Sequence, residues 1–319
     1  MNIIVEPIIK NFYPDLVERT IKLYCSHVCM SLALIESKDI HDVYKNYDKI
    51  IKKIKDTYEE IYTQKLKYSS CTALIKCLKN NKNQKKILLA QQAYKIEIDN
   101  VKAKIKTHLN TGEPSEKQKN TWVTEDEIKQ IDSYLLSQVP EDKDITDLKA
   151  LSKLRDLVIF RFYQDIASRS EITNSKFFYD DEIEIDKLSN EWNYIILNKK
   201  DKSIKYILNK YKTVKKHGSY TEDLGNNLYK LFVRYKKNIE KFNNENWFLL
   251  NMYGKQLQSA RLSAIYKDLG KCINKTLSIR TNRVIKVTGT MDIVEIKKNA
   301  RRMGHTPYEA MHTYAKIRK

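Results

Sequence analysis

The segment RRMGHTPYEAMHTYAKIRK, residues 301–319, sets His305 after Gly304 and Tyr314 nine positions after His305, among basic residues that include Arg301 and Arg302. Its chemistry-bearing types are phenol, imidazole and cations, with no cysteine or carboxylate cluster of the kind that holds a metal. The stretch is either a catalytic tail or the last helix of a basic protein. Two other groupings look chemical at first sight. Cys25, His27 and Cys29 are spaced closely, but a C-x3-C without a second ligand pair does not make a zinc site. Glu125, Asp126 and Glu127 read as the acidic first turn of a helix, favoured by the helix dipole. No metal site is expected. The five cysteines, odd in number, read as buried reduced thiols of an intracellular protein.

Helices must position most of these residues. Only 7 glycines and 5 prolines occur in 319 residues, which favours long helices over a turn-rich β design. Residues 15–110 read almost wholly helical, and Val43, Tyr47, Ile50, Ile54, Tyr58 and Ile61 form one apolar stripe at steps of three and four. Residues 110–122, NTGEPSEKQKNTW, break that pattern and read as a linker between a helical bundle over 1–109 and a second domain over 123–319. Thr124 and Glu127 have the spacing of a capping box at the next helix start. Further on, residues 147–166 are helical by period, and WNYIILNK and SIKYILNKYKTV read as a β-hairpin joined by KDK. Helices resume over NNLYKLFVRYKKNIEKF and YGKQLQSARLSAIYKDLGKCI. The fold class expected is mainly α with a small antiparallel sheet, the second domain being α+β.

The chain carries 59 Lys or Arg against 40 Asp or Glu, a net charge of +19. Such a field attracts polyanions. No apolar run approaches the roughly 18 residues that span a bilayer, and the N-terminal stretch lacks the basic-then-apolar order of a secretory signal. Nucleic acid is therefore the partner expected, and no membrane. From Lys255 to Lys319 there are 15 basic residues against 4 acidic ones, so the positive charge is concentrated where His305 and Tyr314 lie.

Four boxes in this order resemble the tyrosine recombinases, or phage integrase family, over residues from about 115 onward: DIASRSEI, NKYKTVKKHG, RTNRVIKVT and MGHTPYEAMHTY. EKQKNTW and YKTVKKHG look most like integrases of virophages and giant DNA viruses. The resemblance implies a core-binding bundle, a catalytic domain of that family, and cleavage of DNA through a 3′-phosphotyrosyl link. It makes Tyr314 the nucleophile, His305 a contact to the scissile phosphate and Arg283 the second catalytic arginine. Arg280 stands where the family usually has histidine. A guanidinium there can bind phosphate but shuttles protons poorly near neutral pH. Lys212 takes the catalytic lysine position, with Lys215 and Lys216 as alternatives. Arg169 takes the first arginine position and Glu171 that of the supporting acid. Arg169 lies two residues before Glu171 where the family leaves three, a register that would otherwise fall on Ser168.

Several expectations follow from the resemblance. Arginines would stabilise the pentavalent phosphate and a lysine would protonate the leaving 5′-oxygen. A covalent intermediate keeps the bond energy, so rejoining would need neither ATP, metal nor other cofactor. Lys215, Lys216, Arg301 and Arg302 would contact the DNA. The assembly implied is a homotetramer on double-stranded attachment sites; only AKIRK follows Tyr314, so the free protein is expected as a monomer. The setting implied is a host nucleus or viral factory, with packaging in virions, and the activity is insertion of a viral or mobile genome. A type IB topoisomerase-like enzyme and a catalytically weak DNA-binding relative are the alternatives. His312, Tyr308, His217 and the three tryptophans read as ordinary turn or packing residues.

Overall fold

A computed structural model describes residues 2–78, 81–110, 116–166, 168–224 and 226–288, together with Lys297 and Ala300. The chain divides into two compact units, Met1–Thr111 and Gly112–Lys319. Among the described residues the first holds six α-helices: α1 (Asn2–Phe12), α2 (Glu18–Ala33), α3 (Asp42–Lys45), α4 (Tyr47–Thr57), α5 (Ile61–Cys77) and α6 (Gln84–Asn110). One face of α2, carrying Ile21, Cys25, Val28 and Leu32, packs in a core with Tyr68, Cys71 and Leu74 of α5 and Tyr94 and Val101 of α6. The stripe from Val43 to Ile61 is buried at Val43, Ile50 and Ile54. It runs through three helices rather than one. Glu60 explains the second break, because its carboxylate accepts from the backbone N–H groups of Tyr62 (3.2 Å) and Thr63 (2.6 Å) and starts α5 afresh.

The second unit begins with α7 (Glu116–Asn120), inside the stretch that reads as a linker. Trp122 packs on this unit's core, and the Thr121 and Thr281 hydroxyls lie 2.6 Å apart. Then come α8 (Glu125–Gln138) and α9 (Leu148–Asp165). Thr124 and Glu127 form the reciprocal capping box that their spacing predicts. Helix α9 has nine buried residues spread around its circumference, among them Leu154, Val158, Phe162 and Tyr163, so it is the central helix of this unit.

The sheet follows, with strands β1 (Ser175–Tyr179), β2 (Asn193–Asn198) and β3 (Ser203–Leu208), helix α10 (Val214–His217) and β4 (Tyr220–Leu224). Spatial order equals chain order. The expected hairpin is β2–β3, antiparallel, with Tyr194 opposite Ile207 and Asn198 opposite Ser203. β4 extends it antiparallel. The sheet is nevertheless mixed rather than antiparallel, because β1 pairs parallel to β2, from Ser175 opposite Asn193 to Tyr179 opposite Leu197. Thirteen intervening residues with two 3₁₀ turns let the chain cross back to the same end before β2 begins.

Helices α11 (Tyr229–Ile239), α12 (Ser259–Asp268) and α13 (Ile279–Thr288) follow among the described residues. Helix α12 starts six residues later than the sequence pattern implies. Asn251 Oδ1 accepts from the N–H groups of Tyr253 (2.8 Å) and Lys255 (3.1 Å), and Gly254 adopts φ +71°, so residues 251–256 close a turn instead. Among the described residues, no helix is long and apolar enough to cross a membrane.

Candidate functional site

Helix α9 ends at Asp165, and the chain then presents Ser168 and Arg169 before the 3₁₀ turn Ser170–Asn174. Ser168 is buried, at 1% exposure, whereas Arg169 lines a cavity of about 540 Å³. The Tyr163 hydroxyl holds the Arg169 carbonyl at 2.6 Å. Burial raises the Tyr163 pKa well above its usual value, which keeps that hydroxyl a donor. Arg161, the neighbouring arginine, is engaged elsewhere: it forms a two-point pair with Asp132 of α8, at 2.7 and 2.8 Å.

Arg280 and Arg283 lie three residues apart on α13 and so share a helix face. Both line the same 540 Å³ cavity as Arg169, together with Lys267 of α12, Ser170 and Ser278. Arg283 is 9% exposed, while Arg280 and Lys267 are open to solvent. Asn282 anchors this helix, its amide donating to the carbonyl of Tyr163. Four cations from three separate segments thus converge with hydroxyls around one space. Lys267 is absent from the sequence reading; among 59 basic residues nothing in its helical context marks it out.

Ser170 also lines a second cavity, of about 390 Å³, with Glu171, Thr173, Lys210 and Gln256. Burial raises the Glu171 pKa, opposed by its own backbone N–H and by the charges of Arg169 and Arg283. Gln256 is fixed in this wall, its Nε2 donating to the Thr173 carbonyl (2.8 Å) and to Asn174 Oδ1 (2.9 Å).

Lys212 and Lys215 are exposed on the segment that follows β3. Lys212 lines neither of these two cavities. The segment is closed by the Tyr211 hydroxyl, which donates to the Gly218 carbonyl at 2.7 Å, and Gly218 takes φ +69°. Lys216 lies within α10, and its side chain is outside the described residues. Also outside them are Arg301, Arg302, His305, Tyr308, His312 and Tyr314.

The remaining candidates have ordinary surroundings. Trp192 and Trp247 meet edge to face with centroids 4.9 Å apart, and Trp122 packs on the core. Glu127, besides capping α8, pairs with Lys275 at 2.5 Å. None of the five cysteines is in a disulfide; Cys25 and Cys71 are buried, Cys29 and Cys77 half-buried, and Cys272 is exposed, unlike the buried thiols expected. Helix α12 leaves Cys272 in the 3₁₀ turn after its end, on the surface. Burial pushes the Cys25, Cys71 and Cys77 thiols up to about 11, away from nucleophilic use near neutrality. Among the described residues, no group of three or more His, Cys, Asp or Glu could hold a metal.

Guanidinium groups that converge with hydroxyls suit a tetrahedral oxyanion, because the planar fork donates two parallel hydrogen bonds and stays protonated. No family model matches the chain, and no curated protein matches it. Among solved structures the chain is similar to a XerA recombinase, with a TM-score of 0.42 and 12% identity over 100% of this chain and 95% of that one.

Proposed function

We propose that this protein is a site-specific DNA recombinase that cleaves and rejoins strands through a tyrosine–phosphate bond, serving the insertion of a viral or mobile genome. The observation that carries the proposal is the 540 Å³ cavity shared by Arg169, Arg280 and Arg283. The first arginine is more than one hundred positions from the other two, yet all three belong to the sequence boxes that resemble the family's arginine boxes. A chance scatter of basic residues gives no reason for those particular three to meet.

In this reading a backbone phosphate sits in the cavity and its non-bridging oxygens accept from the guanidinium groups. The Tyr314 oxygen attacks phosphorus, losing its proton to water, while the bond to the 5′-oxygen breaks. That oxygen takes a proton from a lysine of the segment after β3, for which Lys212 is the assignment by resemblance. The pentavalent transition state gathers negative charge on the oxygens held by the arginines, so their hydrogen bonds strengthen as the barrier is crossed. Glu171 beside Arg169 and Arg283 steadies the guanidinium cluster in the absence of DNA. His305 and the basic pair Arg301 and Arg302 contribute further phosphate contacts. Rejoining runs the same steps backward, with assembly as a tetramer on two duplexes.

The test is a nicked DNA substrate carrying candidate attachment sequence, incubated with EDTA and without ATP, alongside Tyr314→Phe. A band of protein covalently joined to DNA that disappears in the variant supports the proposal. Absence of that band on DNA that the protein binds specifically overturns it in favour of a DNA-binding role without strand cleavage. A band that survives Tyr314→Phe reassigns the nucleophile.

A further inference from the structure

A further cavity, of about 370 Å³, lies between α8, α9 and α12 and shares no residue with the cavity of the arginines. Its floor is apolar: Leu135, Leu257, Ile265 and Leu269 line it and are all buried. Its rim is basic. Lys153, Arg261 and Lys271 are exposed there, against Asp268, which lies 3.2 Å from Lys271. Deeper in, Asp156 is taken up by Arg155, which donates to it at 2.8 and 3.1 Å. The turn over residues 251–256, closed by Asn251, sets Met252 on the cavity's edge at 46% exposure and Tyr253 beside it at 84%. Large side chains held outward by a hydrogen-bonded turn, next to an apolar floor with a charged rim, mark a surface for another protein.

The same chain carries the complement of that surface. Residues 180–186, DDEIEID, hold five carboxylates and no cation in a protein of net charge +19. They lie in the crossover from β1 to β2, which has two 3₁₀ turns, Asp180–Glu182 and Ile185–Lys187. Ile183 and Leu188 pack down on Tyr194, Ile196 and Ile207 of the sheet. Ile185 is left outward at 43% exposure, between Glu184 and Asp186, which are both exposed. An aliphatic side chain flanked by carboxylates matches an apolar floor with a basic rim. Asp181 pairs with Lys199 (2.7 Å) and Glu184 with Lys187 (2.8 Å), all four side chains being more than half exposed. Surface pairs of that kind are worth little and can be exchanged for a new cation.

None of residues 180–188 lines the cavity of its own chain, so the two surfaces can meet only between copies. The chain's segment 301–319 is a poor occupant, because its five Lys or Arg against the single Glu309 would face a rim of like charge.

We propose that the crossover of one copy docks in this cavity of a second copy, with Ile185 on the apolar floor and Glu184 and Asp186 against Lys153 and Arg261. Donor and acceptor are unlike surfaces, so each copy can give and receive at once. The contact concerns how copies of the chain assemble and does not depend on the strand-cleavage reading.

Sedimentation velocity of the full chain over a concentration series, without DNA, reads the association. Wild type is expected to move to larger species as its concentration rises. Ile185→Ser should weaken association about 10-fold or more. Lys153→Glu combined with Arg261→Glu should do the same, as should Glu184→Lys combined with Asp186→Lys, since each pair of changes sets like charges across the contact. Mixing the two double variants should restore association to within about 3-fold of wild type. In the mixture the intact crossover of one meets the intact cavity of the other, and the two reversed surfaces also match. All the substituted residues are exposed, and unchanged circular dichroism shows that lost association is not lost folding.

A single monomeric species at every concentration overturns the proposal. Association that none of these variants weakens overturns it too, since the copies then meet elsewhere. So does a mixture that associates no better than either double variant alone, because charge matching between crossover and cavity would then play no part. None of these outcomes bears on covalent joining of the protein to nicked DNA, which tests strand cleavage separately.

Discussion

The Tyr163 hydroxyl donates to the Arg169 carbonyl at 2.6 Å, while the Tyr163 carbonyl accepts from the Asn282 side chain. One buried residue of the central helix therefore touches both the arginine-bearing loop and the arginine-bearing helix α13. Asn193 does the corresponding work on the other side of the loop, between Glu171 and Lys210. The loop and the helix that carry the arginines are thus both tied to α9 through one neutral buried side chain and its backbone.

Tyr163→Phe keeps the ring, its edge-to-face contacts with Phe162 and Tyr266, and the bond from Asn282. It removes only the anchor on Arg169. The expected loss of stability is about 1 kcal/mol, the usual effect of one buried hydrogen bond. The expected fall in strand cleavage is about 10-fold or more, because a displaced guanidinium loses its alignment with the phosphate. Urea unfolding and covalent-complex kinetics on the same preparation separate the two effects. Unchanged cleavage at reduced stability would show that Arg169 does not depend on this bond.

Glu171 supplies a pH dependence with a defined sign. Burial raises its pKa in the folded protein above the usual value of 4.5, against the opposing pull of its backbone N–H, Arg169 and Arg283. Between those two values the folded state binds more protons than the unfolded chain, so this group's contribution to stability falls as pH rises through that window. Above the raised value the cost is fully present. Glu171→Gln removes the titration, so the melting temperature of the variant relative to wild type should climb between pH 4 and the raised value, then level off. A pH-independent difference would mean that the carboxyl titrates alike in both states.

Lys236 tests a different balance. Its side chain is 3% exposed, and its Nζ lies 3.2 Å from Glu182 and 2.6 Å from Glu240. The carboxylates are 36% and 44% exposed, so they can rehydrate when the ammonium is removed. Lys236→Met should then cost about 1–3 kcal/mol, less than the roughly 3–5 of breaking a fully buried pair. Glu182→Gln combined with Glu240→Gln leaves a buried ammonium without its counter-charges and should cost more than Lys236→Met. The reverse ranking in chemical denaturation would mean that the Phe177, Phe178 and Tyr179 rings, whose centroids lie 5.9, 5.9 and 5.6 Å from Nζ, and not the carboxylates, hold Lys236 in place.

What the sequence made legible here was local. The capping box at Thr124, the β2–β3 hairpin and the helix over residues 147–166 each depend on residues within one segment, where periodicity and turn chemistry act directly. Strand β1 was not legible, because its partner Asn193 is eighteen residues from Ser175 and their parallel pairing is a tertiary event. Strand β4, YTEDL, conceals itself by carrying acidic residues, which strands usually disfavour, even though Tyr220, Glu222 and Leu224 alternate inward. The same limit governs the site. Arg169, Arg280 and Arg283 were picked out by resemblance alone; that they line one cavity, with Ser168 buried beside it, needed the turn after α9, and Asn193 shows its bonds only when residues 171 and 209–210 surround it.

The charge of the chain gives the last prediction. If the protein acts on DNA as proposed, a net +19, with 15 basic against 4 acidic residues from Lys255 onward, predicts that most of that affinity comes from phosphate contacts and counterion release. If some 6–10 phosphates are neutralised, log K should fall with log salt at a slope of about −5 to −9, weakening binding by about 10³–10⁵-fold between 50 and 200 mM salt. Lys267→Ala removes one exposed cation at the arginine cavity and should flatten that slope by about one, equally for specific and unrelated sequences. Fluorescence anisotropy at four or five salt concentrations reads both quantities. A slope near zero would mean that the positive field is not what grips DNA, and a Lys267→Ala effect confined to one sequence would turn a phosphate contact into a base contact.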